Sequence, residues 1–280
     1  MNKIQAIVFS CNRAMQLQLL LTSIKRNISG IDKILVTYNY TNDGFLEGYQ
    51  KLMKEELADE WVSQQNYINT KGYRDYIIGL LENKYPYVCL FCDDTVVFRK
   101  IVMDEVLQFM NDDDVITFLP RIGLNTVYSF CGGKTIVKNP WKKYEDLGRF
   151  IRWNWKEYSH CNGYPLAMGD GHVYRTPEIK SLLGKIQGKS VNGLENHLQP
   201  IKKDITRNKI VAYKHSALVS IPVNRVQTFS PQNVSGEKFS YPVEELNEAY
   251  LKGYVADFDK IDFSDIKGTH QELALPLKPS

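Results

Sequence analysis

Short apolar blocks rich in β-branched and aromatic residues alternate along this chain with longer segments whose apolar residues recur at helical spacing. The blocks are Ile4 to Phe9, Ile34 to Tyr38, Tyr87 to Cys92 and Val115 to Leu119. Each has the length of a strand and lacks the polar alternation of a sheet that faces water on one side, so each predicts a strand buried on both faces. Between them, a Leu-rich stretch from Ala14, a second from Phe45 to Leu57 and a third with Tyr73, Ile77, Leu80 and Leu81 carry the helical pattern. Strand, polar turn and helix in repetition predict an α/β fold on an open sheet flanked by helices. Further on, Ile101 to Met110, Glu178 to Ile186 and Leu246 to Gly253 predict helices, and Ile210 to Val219 a strand. No internal repeat or low-complexity linker interrupts the chain, and a single domain over residues 1–280 is expected.

The block Tyr87 to Cys92 runs straight into Asp93 and Asp94. In an open α/β sheet the carboxyl ends of the strands face the ligand crevice. Two adjacent carboxylates repel and lose hydration there unless a cation or hydrogen-bond donors share the site. A hard divalent metal, Mg²⁺ or Mn²⁺, shared with phosphate oxygens would satisfy them. An Asx-type turn or a helix cap closing the strand would do so without metal. Upstream, Asn69 or Thr70 caps a helix with Lys71 and Arg74 in its first turn. Cations there oppose the macrodipole, which marks either a nearby anion or a solvated turn. Asp112, Asp113 and Asp114 precede their strand and so fall at the opposite edge, where a solvated turn is expected. The aromatic-rich stretch from Ile122 to Lys156, with Gly132-Gly133, Trp141, Trp153 and Trp155, reads as a substrate wall or as packing. Gly169-Asp170-Gly171-His172 permits close backbone approach, with Asp170 or His172 facing a ligand.

Composition narrows this picture. A chain of 280 residues with 43% hydrophobic and 24% charged residues can bury an ample core. A net charge of +3 is too weak to imply nucleic acid, though local Lys/Arg clusters suit phosphates or an anionic membrane surface. Five cysteines without paired metal-type spacing fit a reducing compartment. Asn12 and Arg13 interrupt the N-terminal apolar run before signal-peptide or transmembrane length, so a cytoplasmic protein is expected.

A first strand ending in Ser10-Cys11-Asn12-Arg13 and followed by a Leu-rich helix resembles the opening of GT-A type nucleotide-sugar glycosyltransferases. The Lys71 and Arg74 helix, followed by an apolar strand ending in acids, resembles that family's approach to its Asp-x-Asp metal motif. The likeness covers roughly residues 1–200 in element order, and it departs at the motif itself, where Cys92-Asp93-Asp94 lacks acids in both outer places. It implies a GT-A-like, Rossmann-type open mixed sheet with an irregular C-terminal extension. Residues 1–120 would form the nucleotide-sugar half, 121–220 the acceptor half and 221–280 the extension. Asp94 would hold Mn²⁺ or Mg²⁺, with His270 completing that site. Asp93 would contact ribose or the metal through water. Ser10, Asn12, Arg13, Tyr38 and Asp43 would frame base and ribose, and Lys71 and Arg74 the diphosphate. Glu195, early in a helix, would be the base that deprotonates the acceptor in an inverting reaction, with Asp170 as the second candidate. The implied partners are a nucleoside-diphosphate sugar and a glycan or lipid-linked saccharide in polysaccharide synthesis. A lipid-linked acceptor would bring the protein to the inner face of the cell membrane. Two rivals stand beside this reading. A nucleotidyltransferase would usually show a Gly-rich loop after the first strand, and Ser10 to Met15 contains no glycine. A non-catalytic nucleotide- or carbohydrate-binding module is the other.

Overall fold

A computed structural model describes residues 3–130, 143–157, 166–226 and 234–280. Gly132, Gly133 and Trp141 of the aromatic-rich stretch lie outside the described residues. A nine-stranded mixed sheet runs through the middle. Its strands in chain order are β1 (Ile4–Cys11), β2 (Lys33–Asn39), β3 (Glu60–Ser63), β4 (Tyr87–Cys92), β5 (Val115–Leu119), β6 (Glu145–Leu147), β7 (Phe150–Asn154), β8 (His172–Arg175) and β9 (Lys209–Tyr213). Across the sheet they follow the order β3, β2, β1, β4, β8, β5, β9, β7, β6. The first four are parallel, β8 is antiparallel to both β4 and β5, and β9 returns to parallel beside β5.

The helices are α1 (Ala14–Asn27), α2 (Asp43–Met53), α3 (Tyr73–Leu80), α4 (Met103–Met110), α5 (Thr176–Gly184), α6 (Val191–Ile201) and α7 (Val243–Leu251). They cover both faces of the sheet, which explains why β1 lacks polar alternation. Ile4, Ala6 and Val8 enter one apolar layer with α1, α2, α4 and α7, while Ile7 and Phe9 enter the other with α3, α5 and α6. Among the described residues no helix is long and apolar enough to cross a membrane.

Several boundaries differ from the expected ones for local reasons. Helix α2 starts two residues early because the Asn42 side chain accepts a hydrogen bond from Phe45 N at 3.1 Å, a standard N-cap, and it stops at Met53. Pro177 sits in the first turn of α5 rather than ahead of it, where its missing N–H costs nothing. The expected strand Ile210 to Val219 is two strands, β9 and Leu218–Ser220, the second paired antiparallel with Thr95–Val97 just beyond β4. The C-terminal segment is less irregular than its sequence suggests. Helix α7 buries Leu246 and Tyr250 against α1 and α2, and Tyr254–Ala256 pairs with Leu277–Pro279.

Behind β5 the chain passes so close to the segment after β9 that only glycine fits. A Cβ on Gly123 would lie 2.6 Å from Ser216 N and 2.8 Å from the His215 carbonyl carbon, both backbone atoms that no rotamer change can move. Gly123→Ala is therefore expected to destabilise by about 1–3 kcal/mol through overpacking. Gly79→Ala in α3, with nothing within 4 Å, should instead gain up to about 1 kcal/mol of helix propensity. Urea unfolding midpoints of the two variants, moving in opposite directions, check the close approach.

Candidate active site

The strand β4 pairs with β1 so that Cys92 lies opposite Phe9, and Asp93 N donates to Phe9 O at 3.0 Å. This register carries Asp93 under the loop that leaves β1. Its carboxylate accepts from Ser10 Oγ at 2.8 Å, from Cys11 N at 3.0 Å and from Arg13 Nη1 at 3.0 Å. Arg13 also spans to Asp94 Oδ2 at 3.5 Å, while its Nε and Nη2 donate to the side chain and carbonyl of Asn224, each at 2.8 Å. Burial opposes the Arg13 charge, but Asp93 and Asp94 more than offset it and raise its pKa. The buried Tyr49 hydroxyl lies 2.7 Å from Ser10 Oγ and accepts from Arg13 N at 3.2 Å. Burial, then Asp93, pushes its pKa well up, so it stays a neutral partner. Asn12 takes a left-handed backbone, φ 58°, and closes the turn by exchanging hydrogen bonds with Thr41, each 3.0 Å. Ser10, Asn12 and Arg13 thus spend most of their polar groups inside the protein.

The second half of the site comes from the reversed strand. Because β8 runs against β4, it is the loop before it, Gly169-Asp170-Gly171, that reaches the carboxyl edge. Asp170, at φ 60°, forms a buried ion pair with Arg121, which follows β5, and accepts from Ser220 Oγ at 2.7 Å. Ser220 in turn bridges to His270 and pairs with Thr95. Arg121 Nε is buried with no hydrogen-bond partner among the described residues, an unused donor in the cleft. Glu195, half-buried in the second turn of α6, accepts a backbone hydrogen bond from Met168 and senses both Arg121 and Asp170.

The charges separate the carboxylates. Burial alone would raise the Asp170 pKa, but Arg121, His270 and the Ser220 hydroxyl bring it down to about 2. For Glu195 burial wins, helped by Asp170 and only partly offset by Arg121, so its pKa is raised. Asp94 is raised for the same reason, burial first, with Arg13 lowering it and Asp93 and Asp170 raising it. Arg13 pairs closely with Asp93 and more distantly, at 3.5 Å, with Asp94, and Arg121 pairs with Asp170, so Asp94 and Glu195 are the acids with the weaker cation contact. Asp94 is also the more open acid of its pair, 19% exposed against 5%.

That weaker contact is the test of a metal. Among the described residues no three His, Cys, Asp or Glu side chains gather into an all-protein cage. Mg²⁺ and Mn²⁺ do not require one, since sites of this kind take one or two protein ligands and complete their shell with water and substrate phosphates. Asp94, open and paired with Arg13 only at 3.5 Å, with His270 close enough to lower its pKa, fits such a partial set. Asp93, its oxygens engaged by three donors, does not.

The remaining expected site residues lie outside this core. Tyr38 is half-buried at the end of β2 in a ring cluster with Tyr40, Tyr49 and Trp61. Asp43 is exposed in the first turn of α2. Lys71 is exposed ahead of α3, and Arg74 donates to Asp75 at 2.8 Å and to Ile186 O at 3.0 Å. Neither forms an ion pair or hydrogen bond with Asp93 or Asp94 among the described residues. The sequence reading missed Arg121, Ser220, Asn224 and Tyr49. Arg121 alone carried a usable signal, a cation directly beyond an apolar strand block and Pro120.

A parallel half-sheet ending in acids, followed by one reversed strand that brings a second loop to the same edge, defines the GT-A fold, and this chain has it. No protein-family model matches the sequence, and no curated protein matches it either. Among solved structures, S. aureus TarS 1-349 in complex with UDP-GlcNAc superimposes at TM-score 0.52 with 15% identity, over 85% of this chain and 63% of that one. The mannosyltransferase PcManGT from Pyrobaculum calidifontis, in complex with GDP-Man and Mn²⁺, gives TM-score 0.50 and 11% identity over 80% and 58%. The chain thus spans about three fifths of the length of these structures. A 4-diphosphocytidyl-2C-methyl-D-erythritol synthase from Anaerococcus prevotii superimposes at 0.45 with 10% identity over 90% and 99%, too loosely to weigh sugar transfer against nucleotidyl transfer.

Replacing Arg13 tests the core of the site. Arg13→Met strands the Asp93 carboxylate in a buried setting and is expected to cost about 3–5 kcal/mol. Arg13→Lys keeps the charge but not the fork onto Asn224, and should fall between the two. Urea unfolding at neutral pH gives both values, and a near-native Arg13→Met would remove the pair from its structural role.

Proposed function

We propose that this protein is a glycosyltransferase that moves a sugar from a nucleoside diphosphate to a hydroxyl of a glycan or lipid-linked acceptor, with inversion at the anomeric carbon. The observation that carries the reading is the divergence of two carboxylates in one GT-A cleft. Asp170 is locked in an ion pair and held at about pKa 2, whereas Glu195 is raised by burial. A proton-accepting carboxylate works best when its pKa moves towards the operating pH, so Glu195 is the base and Asp170 an anchor.

In this mechanism Glu195 takes the proton of the acceptor hydroxyl as its oxygen bonds to the anomeric carbon. The bond from that carbon to the diphosphate oxygen breaks on the opposite face, and its electron pair leaves with the diphosphate. Asp94 and His270 would hold Mg²⁺ or Mn²⁺ there, and the ion's chemistry is to neutralise charge building on the leaving phosphates. Support comes from the Mn²⁺ and GDP-Man in the PcManGT structure and from the longer, weaker pairing of Asp94 with Arg13. Tyr38 and Tyr40 at the end of β2, their rings within 23° of parallel, supply a stacking surface suited to a nucleobase.

Three outcomes test this reading. Glu195→Gln should lower transfer roughly a hundredfold or more with donor affinity and stability near native. Asp170→Asn should act chiefly on stability, because it breaks a buried ion pair. If Glu195→Gln transfers at the native rate, Glu195 is not the base. The pH dependence has a defined sign. A raised Glu195 pKa means the basic form is lost as pH falls through that raised value, so the acid limb of kcat/KM should sit above the ordinary glutamate range. In Glu195→Gln that limb should disappear. Finally, titration calorimetry with UDP or GDP should show binding enhanced by Mn²⁺ in the native protein and no such enhancement in Asp94→Ala.

A further inference from the structure

The connection between α5 and α6 rises to the carboxyl edge of the sheet and is stitched to the segment ahead of α3. Asn69 N donates to Lys189 O at 2.8 Å and Arg74 Nη1 to Ile186 O at 3.0 Å. This joins Lys71 to Lys185 and Lys189 in one rim. All three side chains are exposed and none has a hydrogen-bond or ion-pair partner among the described residues. The one acid beside them on these two segments, Asp75, is already paired with Arg74. The same rim carries Tyr67, 42% exposed and held stacked on Tyr76 with ring centroids 4.4 Å apart at 13°. It leads directly into α6, whose N-cap Ser190 accepts from Gly193 N at 3.1 Å and which presents Glu195 to the cleft two residues later.

An exposed, immobilised aromatic face suits the apolar side of a pyranose ring. Uncompensated lysines raise the local concentration of anions and orient them on approach. We propose that this rim selects an anionic glycan acceptor, one bearing phosphate or carboxylate groups on the sugars next to the accepting hydroxyl. The proposal rests on the glycosyltransferase reading and narrows its acceptor class. It also gives Lys71 an occupant other than the donor diphosphate.

The test compares glycans that differ only in charge: hexagalacturonate against its methyl ester, and a phosphorylated mannose oligosaccharide against its dephosphorylated form. Phosphatidylcholine vesicles with and without phosphatidylglycerol form a third arm, and UDP and GDP with Mn²⁺ a fourth. The charged glycans are expected to bind about tenfold tighter than their neutral counterparts, the combined effect of three solvated contacts that are individually weak. Raising salt past physiological strength should erase the difference, since the screening length is then below about 8 Å. Lys71→Ser, Lys185→Ser and Lys189→Ser combined should erase it too, leave UDP and GDP affinity unchanged, and recover it as the triple Arg variant. Tyr67→Ala should weaken charged and neutral glycans alike. Equal binding of charged and neutral forms, a preference that survives the triple Ser variant, or a preference for phosphatidylglycerol vesicles over soluble glycans would each overturn the proposal. Absence of UDP and GDP binding in the native protein would instead overturn the glycosyltransferase reading, with the rim still judged on the glycans.

Discussion

The buried ion pair between Arg13 and Asp93 is the contact on which the site's geometry hangs. It joins the end of β1 to the end of β4, and through Asn224 it fastens a segment more than two hundred residues further along the chain. An ion pair of this kind adds little net stability, because desolvating two charges consumes most of their attraction. What it does impose is position. With Ser10 and Cys11 also donating to Asp93, the loop at the end of β1 has one arrangement in which every donor is used, and Asn12 accepts a left-handed backbone to complete it. Asp94 is left pointing towards the open cleft because its neighbour is fully occupied.

The same division of labour recurs on the other side. Asp170 is bound by Arg121 and Ser220 and is spent as an anchor, and Glu195 sits half-buried where desolvation raises its pKa. Two guanidiniums thus stand among four acids, and the two held less closely, Asp94 with Arg13 at 3.5 Å and Glu195, are the ones that face substrate in the proposed mechanism. Their destabilisation is of use. A carboxylate short of cations holds a proton or a metal more readily than one already paired.

Much of the fold was legible from the sequence because the central strands are buried on both faces and so appear as largely apolar blocks, broken only by buried polar residues such as Gln5, Thr37 and Thr117. The acids at the end of β4 and the Asn12-Arg13 turn after β1 were legible as polar residues at strand ends. Their relation was not: the cation that the two acids require is Arg13 itself, eighty positions upstream of Asp93. Local spacing cannot report such a pairing. Ser220 and Asn224 were invisible for the same reason, each an ordinary polar residue until β8, β9 and the pair Leu218–Ser220 with Thr95–Val97 bring them over the cleft. Lys71 and Arg74 illustrate the converse. Their place at the start of α3 was readable, though Lys71 falls just ahead of the helix. The hydrogen bonds of Arg74 to Ile186 O and of Asn69 to Lys189 O, which bring this segment to residues 185–190, come from a connection more than a hundred residues away.

The reversed strand β8 also sets where the later connections of the chain emerge. Since β8 starts at the cleft edge and α5 starts at the far edge, the connection from α5 to α6 must return to the cleft, where Lys185, Gln187 and Lys189 are exposed and Ile186 and Gly188 are buried. The strands that frame the first half, β1 to β4, share no hydrogen-bond ladder with that connection. Substitutions at those three exposed positions are of the kind surface loops tolerate, whereas a Cβ on Gly188 would lie 2.8 Å from Leu194 N. Lys185, Gln187 and Lys189 can therefore change without disturbing any ladder between β1 and β4, so the composition of the rim and the frame of the first half are physically independent.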